Sequence, residues 1–303
     1  MTYILIFLIG TAVGSFLNVV ICRLETGEDL IKKRSHCVEC GRVLRWYDLV
    51  PVISFFVLRG RCRDCGKKIS WQYPVVEIAT GVLFVLMTVN LFPELVEGSK
   101  AVLDYSRQGG FRSNNIISLF SLLYVACSLI VIFVYDLRHY IIPDKVLFPA
   151  IGVAFVYRFS EVFFNPTQPP LNLRGGEIPP LNLRGGEGEL LFNALTNFGP
   201  YLFAALAAAG FFLFLVLVTR GRGMGIGDIK LAILMGLVLG WPQILLALFL
   251  AFFSGAAIGL ALIAAGEKTM KSQVPFGPFL IAGTFIALFW GQQILDWWPG
   301  LMR

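Results

Sequence analysis

Residues 243–265 read QILLALFLAFFSGAAIGLALIAA, 23 positions without one charged side chain. As a helix, rising 1.5 Å per residue, this run is about 35 Å long, enough to cross a hydrocarbon core of roughly 30 Å. A backbone in lipid must satisfy its own hydrogen bonds, so the run predicts a transmembrane helix. Working outward, comparable apolar runs recur along the 303 residues, 57% of which are hydrophobic and only 15% charged. A globular protein of this size needs more charge to cover its surface, so a cytosolic enzyme with a single tether is excluded. Disorder and a small disulfide scaffold are excluded on the same grounds.

The apolar periods predict an all-α polytopic membrane protein with about eight helices. They run roughly from Tyr3 to Ile21, Val75 to Phe92, Ile116 to Tyr135, Ile142 to Phe164, Tyr201 to Thr219, Ile229 to Gly240, Gln243 to Ala265 and Phe276 to Trp298. Two are weak. Pro149, Arg158 and Glu161 are expected to bring the outer half of the fourth out of the lipid. The sixth rises only about 18 Å, so the chain before it must already lie inside the membrane. Of the 25 Lys and Arg residues, 18 fall in the loops after spans one, three, five and seven. The positive-inside rule puts those loops in the cytoplasm and both termini outside. The net charge of +6 is thereby assigned to topology and not to nucleic acid. The first span lacks a basic leader region and a small-residue cleavage site, and is expected to be retained as a helix.

The first cytoplasmic loop carries Cys37-Val38-Glu39-Cys40 and, after 21 residues, Cys62-Arg63-Asp64-Cys65. Two such pairs bring four thiolates to one tetrahedral centre, which makes Cys37, Cys40, Cys62 and Cys65 the expected ligands of a structural zinc ion in a ribbon-like loop domain. Gly41 and Gly66 follow the pairs, where a tight turn directs backbone N–H groups at sulfur. The metal is expected to supply the loop's folding energy. Two disulfides are the alternative, disfavoured in a reducing compartment. The expected division is a first helix at 1–21, the four-cysteine loop at 22–74 and a membrane domain at 75–303. Within the last, the direct repeat Pro169 to Glu177 and Pro179 to Glu187 is expected to form a disordered insertion at about 165–190.

Ionisable groups beside spans are functional candidates because burying them is costly. Asp136 closes the third span, ahead of Pro143-Asp144. Asp228 lies in Gly223-Met224-Gly225-Ile226-Gly227-Asp228-Ile229-Lys230, where the glycines permit close backbone approach and angles other residues avoid. No strand pattern precedes it and no Lys-Ser or Lys-Thr follows, which excludes a nucleotide loop. Both acids fall on one side of the membrane. Two carboxylates in a low-dielectric site cannot both ionise cheaply and so share a proton, one accepting from water while the other donates to a scissile carbonyl. The alternatives at this point are a headgroup-contacting helix end for Asp136, a cytoplasmic hairpin for Asp228, and a scaffold or transporter whose two acids bind an ion. His36 and His139 are the only histidines, which disfavours serine or metallo-hydrolysis. Glu77, where the loop returns to the membrane, is a further polar candidate, with a salt bridge to a loop arginine as its alternative.

Taken together, Gly14-Ser15-Phe16-Leu17-Asn18-Val19-Val20 with Arg23, both cysteine pairs, Tyr73-Pro74-Val75-Val76-Glu77, Asp136 with Ile142-Pro143-Asp144, Gly225-x-Gly227-Asp228 with Lys230, and Pro275-Phe276-Gly277-Pro278 resemble the type IV prepilin peptidases, the bifunctional leader peptidase/N-methyltransferases. The resemblance implies that Asp136 and Asp228 are the catalytic pair, supported by Gly225, Gly227, Lys230 and Asp144. It also implies cleavage of prepilin and pilin-like leaders at the cytoplasmic face of a bacterial inner membrane, with lipid as the surrounding partner. Methylation of the new amino terminus from S-adenosylmethionine rests on the resemblance alone, and makes Glu77 the candidate beside that cofactor. The duplicated outer segment departs from the family pattern.

Overall fold

The computed structural model describes residues 2–27, 34–91, 116–164, 187–220, 224–266 and 274–301. The described residues form helices α1 (Thr2–Thr26), α2 (Ile53–Val57), α3 (Gln72–Leu91), α4 (Ile116–His139), α5 (Asp144–Phe164), α6 (Glu187–Val218), α7 (Ile226–Leu239), α8 (Gln243–Ala264) and α9 (Gly277–Leu301). Among them there is no strand longer than an isolated bridge. Six helices, α1, α3, α4, α6, α8 and α9, are long and apolar enough to cross a bilayer, and the protein is a multi-pass membrane protein. The two weak spans are present as α5 and α7, but neither is one of the six. The expected insertion at 165–190 lies outside the described residues up to 186. Glu187 already opens α6, which begins well before the expected Tyr201 and runs through Pro200.

The helices group into two compact units. One comprises Met1–Asn115 with Ala126–Tyr135, the other Ile116–Val125 with Asp136–Arg303. In the first, α1 meets α3 through small residues. A Cβ on Gly10 would lie 2.8 Å from the Gly81 Cα, and one on Gly14 would lie 2.7 Å from the Glu77 Cα. Lipid offers no hydrophobic drive to pair helices, so close backbone packing has to supply the contact. Thr80 and Thr88 return their hydroxyls to the carbonyls of Val76 and Phe84, which removes polar cost from that interface.

In the second unit α7 is the central element. Beyond Lys230 the helix is apolar on every side, with Leu231, Ala232, Leu234 and Met235 fully buried. A helix hydrophobic all round is enclosed by other helices, and α5, α6, α8 and α9 all pack on it. Gly236 admits the backbone of Ala204 and Ala205 from α6, where any Cβ would collide. At about 21 Å this helix is too short to reach both headgroup layers, so its ends must be satisfied within the protein. Arg158 of α5 does this at the C-terminus. Its Nε donates to the Leu237 carbonyl at 3.1 Å, a terminal guanidinium nitrogen donates to Val238 at 2.6 Å, and the group lies 3.9 Å from the centre of the Tyr201 ring. Arg158 is only 3% exposed. The expectation that it draws α5 out of the lipid is therefore replaced by a cation held inside protein against a helix C-terminus, where the dipole favours it. Two charge-assisted bonds at about 1.5 kcal/mol each set the expected cost of Arg158→Leu at about 3 kcal/mol. Denaturant unfolding in detergent measures it, and Arg158→Lys should recover part of the loss.

Candidate active site

The acids predicted to act together are brought to one place in the second unit. Asp136 lies in the last turn of α4 and is 4% exposed. The helix stops there because Tyr140 takes a left-handed φ of 57° and returns its N–H to the Asp136 carbonyl at 2.9 Å, an αL termination. The chain then turns through Pro143, whose carbonyl accepts from Val146 and Leu147 as α5 begins. Asp228 occupies the first turn of α7 and is 8% exposed. Its Oδ2 accepts the Gly225 N–H at 3.3 Å, while its own N–H bonds the Gly225 carbonyl at 3.2 Å. The two carboxylates lie within electrostatic reach of each other.

The glycines work by space more than by unusual angles. Gly225 has an ordinary extended φ of −82°. Gly227 lies against Ile142, where a Cβ would come within 3.1 Å of the isoleucine Cβ. This close approach seats the first turn of α7 on the segment that opens α5. Lys230 secures the same junction, its Nζ 2.8 and 2.9 Å from the two Asp144 oxygens. Gly225, Gly227, Lys230 and Asp144, the residues expected to support the pair, thus meet at one junction beside Asp228.

Gly277, within the Pro275–Pro278 motif, is a neighbour of the site. It opens α9 with its N–H directed at the Asp136 carboxylate. A Cβ there would come within 2.5 Å of Asp136 Oδ2. A helix N-terminus presents unpaired N–H groups, so glycine is the residue that lets the backbone donor reach a buried acid. The proline-flanked Pro275-Phe276-Gly277-Pro278 was the available signal. A site with two buried acids from helix ends and a backbone donor on one of them can hold a water and divide proton donation from proton acceptance.

In the first unit the four cysteines converge. Their sulfur atoms all lie within 4.8 Å of one another, and the Cys37 and Cys65 sulfurs are 3.9 Å apart. Tetrahedral zinc with Zn–S near 2.3 Å separates its sulfurs by about 3.8 Å, so the donor set fits one metal ion. The thiols are free, not paired as disulfides. The two pairs fold alike at an offset of 25 residues. Cys37 N–H bonds Arg42 as Cys62 N–H bonds Lys67, Gly41 bonds Cys37 as Gly66 bonds Cys62, and Leu44 bonds Ser35 as Ile69 bonds Gly60. Gly41 and Gly66 take φ of 69° and 68°, the left-handed turn expected of them. The ion pairs are exchanged between the halves: Arg42 meets Asp64 of the second, and Lys67 meets Glu39 of the first at 3.5 Å. Backbone N–H groups of Cys65 and Asp64 facing the Cys62 sulfur lower that thiol to about 7, while Cys65, against the lowering effect of the Lys67 N–H, is pushed up to about 11 by burial and the neighbouring sulfurs, so that without a cation the clustered thiols do not all ionise together.

Glu77 is separate from the carboxylate pair in the chain's organisation, belonging to the first unit. It is 7% exposed, and Oε2 accepts the Val52 N–H at 2.7 Å with Ser15 as a second partner. Val52 stands at a γ-turn, φ 61° and ψ −53°, with Ile53 N–H on the Pro51 carbonyl at 2.5 Å. Such a turn is strained for a β-branched residue, so the buried carboxylate holds a conformation the loop would not adopt unaided.

Residues 8–91 match the model of the bacterial peptidase A24 N-terminal domain, and residues 187–260 match that of the type IV leader peptidase family. The first segment contains the four cysteines and Glu77, and the second contains Asp228 with its glycines. Asp136, Asp144 and Gly277 lie in neither. Proteins named prepilin leader peptidase/N-methyltransferase align along almost the whole chain. That of Bacillus subtilis (strain 168) is 28% identical over 294 residues, covering 97% of this chain and 96% of its own. That of Aeromonas hydrophila is 28% identical over 318 residues, covering 97% and 92%. That of Legionella pneumophila is 28% identical over 321 residues, covering 98% and 94%. No solved structure matches the chain significantly. With two models of this peptidase family together matching just over half of the chain and relatives of one kind aligned throughout, the chain belongs to the type IV leader peptidase family.

Proposed function

We propose that this protein removes the leader peptide of type IV prepilins and pilin-like proteins and then methylates the new amino terminus from S-adenosylmethionine. The observation that carries the reading is the convergence of Asp136 and Asp228, each buried at a helix end and each met by a backbone N–H. In this mechanism one carboxylate, ionised, takes a proton from the attacking water while the other, protonated, donates to the scissile carbonyl oxygen. Proton transfer back to the leaving amine completes hydrolysis. Lys230 and Asp144 position the Asp228 turn, and Gly225 and Gly227 allow it to form.

The four-cysteine loop, residues 22–74, is assigned to a structural zinc ion and to the methyl-transfer function, and residues 75–303 to the peptidase. The positive-inside bias favours an active site facing the cytoplasm of a bacterial inner membrane, with both termini outside. Glu77 acts on methyl transfer. One of its oxygens already holds the Val52 N–H, so its contribution includes the placing of the loop that the cofactor requires.

The test uses full-length protein with a membrane-inserted prepilin and S-adenosylmethionine, and the product is weighed by mass spectrometry. Loss of the leader together with gain of one methyl group is expected. Glu77→Gln, assayed twice, should retain leader removal and lose most methylation of a pre-cleaved pilin. If cleavage falls while methylation survives, Glu77 belongs to the protease site and its assignment is wrong.

A further inference from the structure

A cavity of about 330 Å³ lies in the first unit between the loop end of α1 and the four-cysteine loop. Phe16, Val19 and Arg23 line it from α1, and Arg34, Trp46 and Leu49 are among the residues that line it from the loop. Neither the carboxylate pair nor the four thiols take part in it. The α1 residues of its wall continue a stripe up the same helix face. Leu5, Ile9, Ala12, Phe16, Val19 and Arg23 recur every three or four positions, the spacing of a single face. Leu5, Ile9 and Phe16 are 60, 50 and 56% exposed, on a helix apolar and long enough to span the membrane. In a bilayer that stripe would face acyl chains, and its loop end, Phe16, Val19 and Arg23, lines the cavity. At the cavity the chemistry changes to two guanidinium groups and Trp46, which is 80% exposed. Tryptophan favours the headgroup level, and arginine is the side chain best suited to bidentate recognition of phosphate.

We propose that this cavity binds the headgroup of an anionic phospholipid, with its phosphate at Arg23 and Arg34 and an acyl chain along the Phe16–Leu5 stripe. Because its walls come from both a span and the loop, the bound lipid would bridge them and seat the four-cysteine loop on the bilayer surface. The assignment does not depend on the proteolytic reading.

The test is titration of detergent-solubilised full-length protein with phosphatidylglycerol carrying brominated acyl chains. The signal is Trp46-dependent quenching, taken as the difference between the parent protein and Trp46→Phe. Saturable quenching is expected, with phosphatidylcholine of the same chains at least about fivefold weaker, since each basic residue near an anionic surface contributes about 1 kcal/mol. Arg34→Gln, at an exposed position, should weaken phosphatidylglycerol by about fivefold while leaving bound metal and leader cleavage unchanged. Arg23→Gln should do the same, and Arg34→Gln keeps the test valid should the more buried Arg23 variant fail to fold. Equal binding of the two lipids, or indifference to Arg34→Gln, overturns the proposal. Displacement of the lipid by S-adenosylmethionine or inorganic phosphate at the same residues also overturns it, since the cavity would then serve a soluble anion.

Discussion

Asp136→Asn and Asp228→Asn proteins, inserted and folded as the parent, are expected to lose leader cleavage by about a thousandfold or more, because each removes one half of a general acid/base pair. The two losses should not add in the double variant, since either acid alone leaves the water without a complete proton path. Gly277→Ala tests the same site from the neighbouring helix. Its new methyl group would fall 2.5 Å from Asp136 Oδ2, so the carboxylate or the start of α9 must move. Cleavage should drop sharply with little loss of helix content. Single-turnover cleavage of a prepilin in detergent, with circular dichroism as the folding control, measures all four. Near-parent turnover by well-expressed Asp228→Asn protein would remove the paired-carboxylate mechanism.

Loss of the metal is expected to have the other large effect. Cys62→Ser, or any one of the four thiol replacements, should abolish stoichiometric zinc, because structural zinc binding releases on the order of 10 kcal/mol and Phe55 is the one buried apolar side chain among the described residues between α1 and α3. The loop should then become protease-sensitive while α5 to α9 remain folded. Methyl transfer should vanish, and leader removal should persist at a substantial fraction of the parent rate. Elemental analysis of the purified parent protein should find about one equivalent. Less than about half an equivalent, with the thiols oxidised in pairs, would contradict a single four-thiolate centre.

The sequence alone determined those features whose physical cause is local. An apolar run must become a helix where no water is available to the backbone, so the 243–265 stretch and its five long counterparts were legible without coordinates. Two Cys-x-x-Cys pairs, each followed by glycine, specify the left-handed turns at Gly41 and Gly66 and the clustering of sulfur, because the spacing itself sets the geometry. Asp136 and Asp228 stood out as acids at the ends of apolar helices, where an idle charge is expensive. The tertiary structure alone decided what depends on partners distant in the chain. Arg158 read as a charge that should leave the lipid, and only the end of α7, some eighty positions later, shows which carbonyls it satisfies. Gly277 read as part of a proline motif until α9 placed its N–H on Asp136. Glu77 read as an interfacial acid awaiting an arginine or a cofactor, whereas the strained turn at Val52 supplies its partner. Each of these is a polar group removed from water, and which donor or acceptor replaces that water is set by the packing of whole helices, not by the residues beside it.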